Sequence, residues 1–201
     1  MTDTLNPSTA RLMRAAIGAV FATTLLFAAP HTVLAQSATA AQMAVAMDIP
    51  QASLVNAEVI APVLEGTRNV RSSFGSVTPQ SGTSLAIMSN GRAASPVDPG
   101  YSENFDHQLI STYPIGYPQE SALCPGVVTG SARDLTHVAV TLQVPAAVNG
   151  LAFDFNYYSR DYPSWVCSQF GDGFAAILER GGTLTSISVD ANGQPTVSNA
   201  V

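Results

Sequence analysis

The stretch that decides the fold is "HVAVTLQVPAAVNGLAFDFNYY", His137 to Tyr158. In its first half Val138, Val140, Leu142 and Val144 share one face, with Ala139, Thr141 and Gln143 on the other. A period of two marks a half-buried β-strand, because successive side chains leave a pleated backbone on opposite sides. In its second half Leu151, Phe153, Phe155 and Tyr157 repeat the pattern, with Ala152, Asp154, Asn156 and Tyr158 opposite. Pro145 stops the first run and Asn149-Gly150 supplies turn chemistry between them. The spacing predicts two antiparallel strands joined as a hairpin.

The chain on either side reads in the same way. Ala52 to Ile60, "ASLVNAEVI", predicts a strand of imperfect alternation. Ser84 to Met88 predicts a compact apolar strand, closed by Asn90-Gly91, a pair that tolerates positive φ. "ATAAQMAVAMD", Ala38 to Asp48, holds good helix formers without Gly or Pro and predicts a short helix. Pro96, Pro99, Pro114, Pro118 and Pro125 make a long helix improbable between Ser95 and Val127, which reads as a surface excursion bounded by short strands. Downstream, "GFAAILE" and "LTSISVD" predict two more strands, and "DANGQP" a turn. Short strands with turn signals between them predict a mainly β fold. The expected architecture is an antiparallel β-sandwich or jelly roll with a short N-terminal helix.

The N-terminal residues stand apart. Arg11 and Arg14 precede the uncharged run Ala15 to Ala29, which Pro30 breaks. That run falls short of the roughly 20 apolar residues a membrane span needs. Small residues at Val33-Leu34-Ala35 suit a signal peptidase. Residues 1–35 are expected to be a secretory signal peptide cleaved between Ala35 and Gln36, leaving one domain over 36–201 and no membrane span. Of the 8 basic and 14 acidic residues, Arg11, Arg14 and Asp3 leave with the signal, so 6 basic and 13 acidic residues remain. All the basic residues are Arg. This acidity argues against nucleic acid and anionic membrane surfaces, which attract basic patches. Export also places Cys124 and Cys167 in an oxidising compartment, and the pair is expected to form a disulfide.

The connection after Tyr158, "SRDYPSWVCSQFGDGF", concentrates the chemistry. Asp161 and Asp172 lie in it, with Asp154 just before and Glu179 just after. Hard carboxylate oxygens suit calcium, so Asp161 and Asp172 are the candidate metal ligands, although their spacing matches no calcium-loop motif. As a glycosidase pair they would need to face one cleft. His107 and His137 belong to no nucleophile-elbow, zinc or thiol-protease pattern. No phosphate-cradling glycine loop is present either. Tyr157, Tyr158, Tyr162, Trp165 and Phe170 form an aromatic cluster that reads as a plug for the end of a sandwich or as a sugar- or peptide-binding platform. The residues singled out as a loop signature are Asp154, Ser159, Asp161, Tyr162, Trp165 and Asp172.

These residues carry a resemblance. Phe153-Asp154-Phe155, Ser159, Asp161-Tyr162-Pro163 and Asp172 with Phe174 follow one another as in the choice-of-anchor L domain of bacterial exported proteins. Arg160 stands where that family has an acid, and Gly171 where it has Asn. "MAVAMDIPQASLVNAEVI" and "SLAIMSNGRA" resemble its opening helix and strands, so the similarity runs from about Met43 to the end. The resemblance implies an extracellular β-rich module of surface proteins without assigned activity. It also implies a domain normally continuing beyond Val201, so the copy here is expected to be incomplete. The resulting expectation is a non-enzymatic, secreted or cell-surface module with no cofactor, recognising a glycan, polymer or protein surface. A secreted carbohydrate-active hydrolase using Asp161 and Asp172, and a purely structural envelope or matrix component, are the alternatives.

Overall fold

The structure is a computed structural model and describes residues 37–99, 101–103, 105–117, 124–127, 130–170, 172–189 and 192–193. The expected signal peptide, with its Ala35–Gln36 cleavage site, and Gly171 lie outside these residues. Helix α1, Ala40–Ala46, starts at Thr39, whose hydroxyl accepts from the Gln42 amide at 3.2 Å. The Gln42 side chain returns the bond to the Thr39 amide at 2.9 Å, completing a capping box. Ala40, Met43, Ala44 and Ala46 are buried, and Met43 is 0% exposed. Val45 faces out, as a one-sided helix requires.

Among the described residues eight strands follow: β1 Leu54–Ile60, β2 Arg68–Arg71, β3 Leu85–Met88, β4 Ile110–Ser111, β5 Ala132–Arg133, β6 His137–Leu142, β7 Ile177–Arg180 and β8 Thr183–Ser186. They pair as four antiparallel two-stranded sheets, β1–β6, β2–β3, β4–β5 and β7–β8. The fold is mainly β with one short N-terminal helix. α1 packs against β1, β2, β3 and β6, so its small alanines hold two sheets against one element.

The imperfect alternation of β1 has a structural cause. A bulge between Leu54 and Asn56 inserts one residue against β6, leaving Val55 and Asn56 exposed while Leu54, Ala57 and Val59 turn inward. In β6, Val138, Val140 and Leu142 are half-buried as the alternation predicts, and Val144 lies past the strand end in solvent.

The expected hairpin is corrected. β6 pairs with β1, from Ile60↔His137 to Leu54↔Leu142, instead of with the segment that follows it. The chain turns at Pro145–Val148, where the Val148 amide donates to the Pro145 carbonyl at 2.9 Å, and not at Asn149-Gly150. Leu151 to Tyr158 joins no strand. Periodicity specifies which side chains share a face but not which backbone supplies the ladder. Here α1 packs against both β1 and β6.

β2 escaped the sequence reading because Arg68-Asn69-Val70-Arg71 contains a single apolar residue. Its burial is polar. Arg68 is 4% exposed and donates from Nε to the Ala38 carbonyl at 3.2 Å. Its Nη1 donates to the Leu64 carbonyl at 3.2 Å and to the Thr67 hydroxyl at 3.0 Å. The Ala38 amide donates back to the Arg68 carbonyl at 3.0 Å, tying the chain before α1 to β2. Arg71 makes a two-pronged pair with Asp98, at 3.0 and 2.5 Å. The Ser95 amide first, and Arg71 next, hold the Asp98 carboxyl below the ordinary range.

Gly91 is required for a reason other than the one its neighbour Asn90 suggests. Neither residue has positive φ. A Cβ on Gly91 would lie 2.9 Å from the Phe105 carbonyl, so the excursion crosses directly over this glycine. The β7–β8 connection does need left-handed backbone: Gly181 and Gly182 have φ of 58° and 78°, as a two-residue hairpin turn demands.

Candidate functional site

The candidate site is the connection from Tyr157 to Phe174. Ser159 organises it. Its hydroxyl donates to Asp172 Oδ2 at 3.1 Å and accepts from the Asp161 amide at 3.1 Å. Asn90, at the end of the β2–β3 sheet, donates from Nδ2 to Asp172 Oδ1 at 2.6 Å. Both oxygens of Asp172 therefore already serve to hold the turn. The Asp161 carbonyl accepts from the Trp165 amide at 2.7 Å, beginning a run of tight turns through Ser168. The Tyr162–Pro163 peptide is cis.

The far side of the connection is fastened covalently. Cys124 and Cys167 form the expected disulfide, with their Cα atoms 5.3 Å apart. Cys124 is buried, and Cys167 is exposed with a φ of 57°, a left-handed conformation that non-glycine residues seldom adopt. The Gly130 amide donates to the Gln169 carbonyl at 2.8 Å just beyond it. At the near side the Arg160 guanidinium reaches the Glu103 carbonyl and lies 3.6 Å from its carboxylate.

Asp161 and Asp172, drawn from sequence as a pair, are brought within electrostatic reach of each other. Burial, then the charge of Asp172, raises the Asp161 carboxyl above its usual range, with Arg160 opposing. The half-buried Tyr157 hydroxyl is raised too, by burial first and Asp172 second, with Ser159 opposing. Asp154 is exposed and stands outside this cluster. Among the described residues no three His, Cys, Asp or Glu side chains gather as a metal set. Asp161 and Asp172 alone would supply fewer than the six to eight oxygens calcium prefers, and each Asp172 oxygen already accepts one hydrogen bond. Asn90 and Tyr157 were absent from the sequence signature. Asn90 is 82 residues from its partner Asp172, a separation that no local pattern spans.

The aromatic residues do not plug the end of a sandwich. Tyr162 is 67% exposed and Trp165 49%, and Tyr158 and Phe170 are exposed as well. Trp165 meets Phe170 edge-on at 5.3 Å, and Tyr158 meets Phe74 edge-on at 5.9 Å. The tight turns that order the loop carry its rings outward. A separate cluster joins Phe153 and Phe155 to Phe174, with Phe155 stacked on Phe174 at 4.7 Å.

His107 and His137 lie elsewhere. His107 packs edge-on to Phe105 at 4.8 Å, and Arg92 sits over the same ring at 4.2 Å. The His107 and Leu109 amides are held by the buried Asp134 carboxylate at 3.0 and 2.8 Å. His137 is exposed at the start of β6. No helix among the described residues is long and apolar enough to cross a membrane. No protein-family model, no curated protein and no solved structure matches this chain.

Proposed function

We propose that this chain is an exported, non-enzymatic module of the choice-of-anchor L kind that attaches to an extracellular surface. Its two-stranded sheets are taken as parts of an antiparallel sandwich. The observation that carries this reading is the exposure of Tyr162 and Trp165 on a connection tied at Asp172 and at Cys167. Ordering a loop costs about 1–2 kcal/mol per residue, so a ring display fixed at both sides is suited to recognition. Flat aromatic faces beside carboxylates match neutral sugars, whose C–H faces stack on rings and whose hydroxyls donate to acids. A disulfide also suits an oxidising compartment.

Binding of the secreted chain to an array of neutral glycans and insoluble polysaccharides tests the proposal. Trp165→Ala and Tyr162→Ala should each weaken retention at least about ten-fold, the loss of roughly one stacked ring, with circular dichroism unchanged. Absence of binding to every surface, or binding indifferent to both changes, would sink it.

A second reading has one observation in its favour. A raised Asp161 beside Asp172 is the pairing a glycosidase acid and its ionised partner need. On that reading Asp161→Asn and Asp172→Asn abolish hydrolysis of some polysaccharide. If neither protein nor variants release reducing ends, the hydrolase reading ends.

A further inference from the structure

Gly150 to Tyr158 has the side-chain pattern of a strand and none of its pairing. Its backbone amides and carbonyls make no hydrogen bond with other described residues. Phe153 and Phe155, two residues apart, lie on one side against Phe174, as side chains of an extended chain do. Yet Leu151 is 64% exposed, Phe153 50% and Phe155 46%. An unpaired, apolar strand edge is a template for another strand.

We infer that this edge pairs with the same edge of a second copy, giving a two-fold dimer with Phe155 on the axis. The sequence is self-complementary in that one antiparallel register. Phe155 falls opposite Phe155, Phe153 opposite Tyr157, and Asp154 opposite Asn156, so rings meet rings and each carboxylate meets an amide. No like charges are apposed, and Arg160 falls opposite Gly150. A two-fold interface needs this self-complementarity, because the same patch serves both partners.

The area is sufficient. Leu151, Phe153 and Phe155 leave roughly 300 Å² in water per copy, about half of their combined surface. Adding the backbone edges brings a pair of copies to roughly 1,000 Å², the lower bound of a specific interface. The net negative charge opposes association at long range. Salt screens that repulsion but leaves the apolar contact intact.

Sedimentation of the secreted chain from about 1 to 100 μM, a span that brackets a weak interface, tests this at low and high salt. Dimer is expected, with tighter association at high salt. Phe155→Asp places two carboxylates on the axis and should weaken association by more than about ten-fold, while Val97→Ser, at an exposed apolar residue outside the edge, leaves it unchanged. The chain has two cysteines, both in the disulfide, so introduced thiols report register cleanly. Mixing Asp154→Cys with Asn156→Cys should give cross-linked dimer at least about ten-fold faster than either variant alone, because only the mixture apposes two thiols directly. A monomer throughout both salt series overturns the inference and leaves the edge to a different chain. Equal cross-linking in all three samples overturns the register.

Discussion

Arg68→Met is the most incisive change to make in this fold. It keeps the bulk of a buried side chain while removing a guanidinium that has no carboxylate partner among the described residues. Two effects compete. Returning the guanidinium to water relieves a desolvation penalty of several kcal/mol, which is why buried ions replaced by apolar groups sometimes stabilise a protein. Against this, three hydrogen bonds are lost, and the Ala38 carbonyl loses the donor that Nε supplies at 3.2 Å. The Leu64 carbonyl keeps the Thr67 hydroxyl at 2.9 Å. An orphaned buried carbonyl costs about 1–3 kcal/mol, and each charged hydrogen bond contributes about 1.5–3 kcal/mol. Carbonyl oxygens aimed at the guanidinium have replaced much of its water, so the relief is smaller than for an unsolvated ion. The expected net loss is about 2–4 kcal/mol, a large share of a typical domain's stability. Urea unfolding of the disulfide-intact protein, followed by circular dichroism, should show a lowered midpoint at unchanged slope. Arg68→Lys should lose nearly as much, because one ammonium cannot reach Ala38, Leu64 and Thr67 from a single point. A Met variant as stable as the parent would refute the reasoning and show that desolvation dominates.

Three further outcomes follow from the same geometry. Replacing Cys124 and Cys167 together by Ser opens a loop of sequence separation 43 and should lower stability by about 4 kcal/mol from loop-closure entropy, read as a drop in urea midpoint. Because the folded protein holds its Asp161 proton more tightly than the unfolded chain, stability should fall as pH rises from the ordinary carboxylate pKa through the raised native value. Asp161→Asn should remove that decline, and a parent-minus-variant difference flat across the acid range would contradict it. Gly91→Ala forces a methyl to 2.9 Å from the Phe105 carbonyl and should destabilise by about 1–3 kcal/mol in thermal unfolding, whereas Gly150→Ala, in open space, should be silent.

Local features were legible from the chain alone. The good helix formers from Ala38 to Asp48 mark α1, which occupies Ala40–Ala46. The alternation of Val138, Val140 and Leu142 marks β6, and the two cysteines of the chain form the expected disulfide. Helix and strand depend on neighbouring residues, which sequence records directly, and two cysteines allow a single pairing.

Pairing, burial and ring placement were not legible. The pattern from Leu151 to Tyr158 is as regular as that of β6, but β6 found its partner in β1, 77 residues upstream at the Ile60↔His137 end, and the later run found none among the described residues. Arg68 looks like a surface residue and is buried, because carbonyls at Ala38 and Leu64 converge on it. Trp165 is half exposed, because the tight turns from Asp161 to Ser168 hold it at the surface, where it meets Phe170 edge-on. A sequence fixes how side chains alternate along a strand, through the geometry of one backbone. Which backbone lies alongside, and what volume remains to be filled, are properties of the folded chain as a whole, and tertiary structure alone decides them.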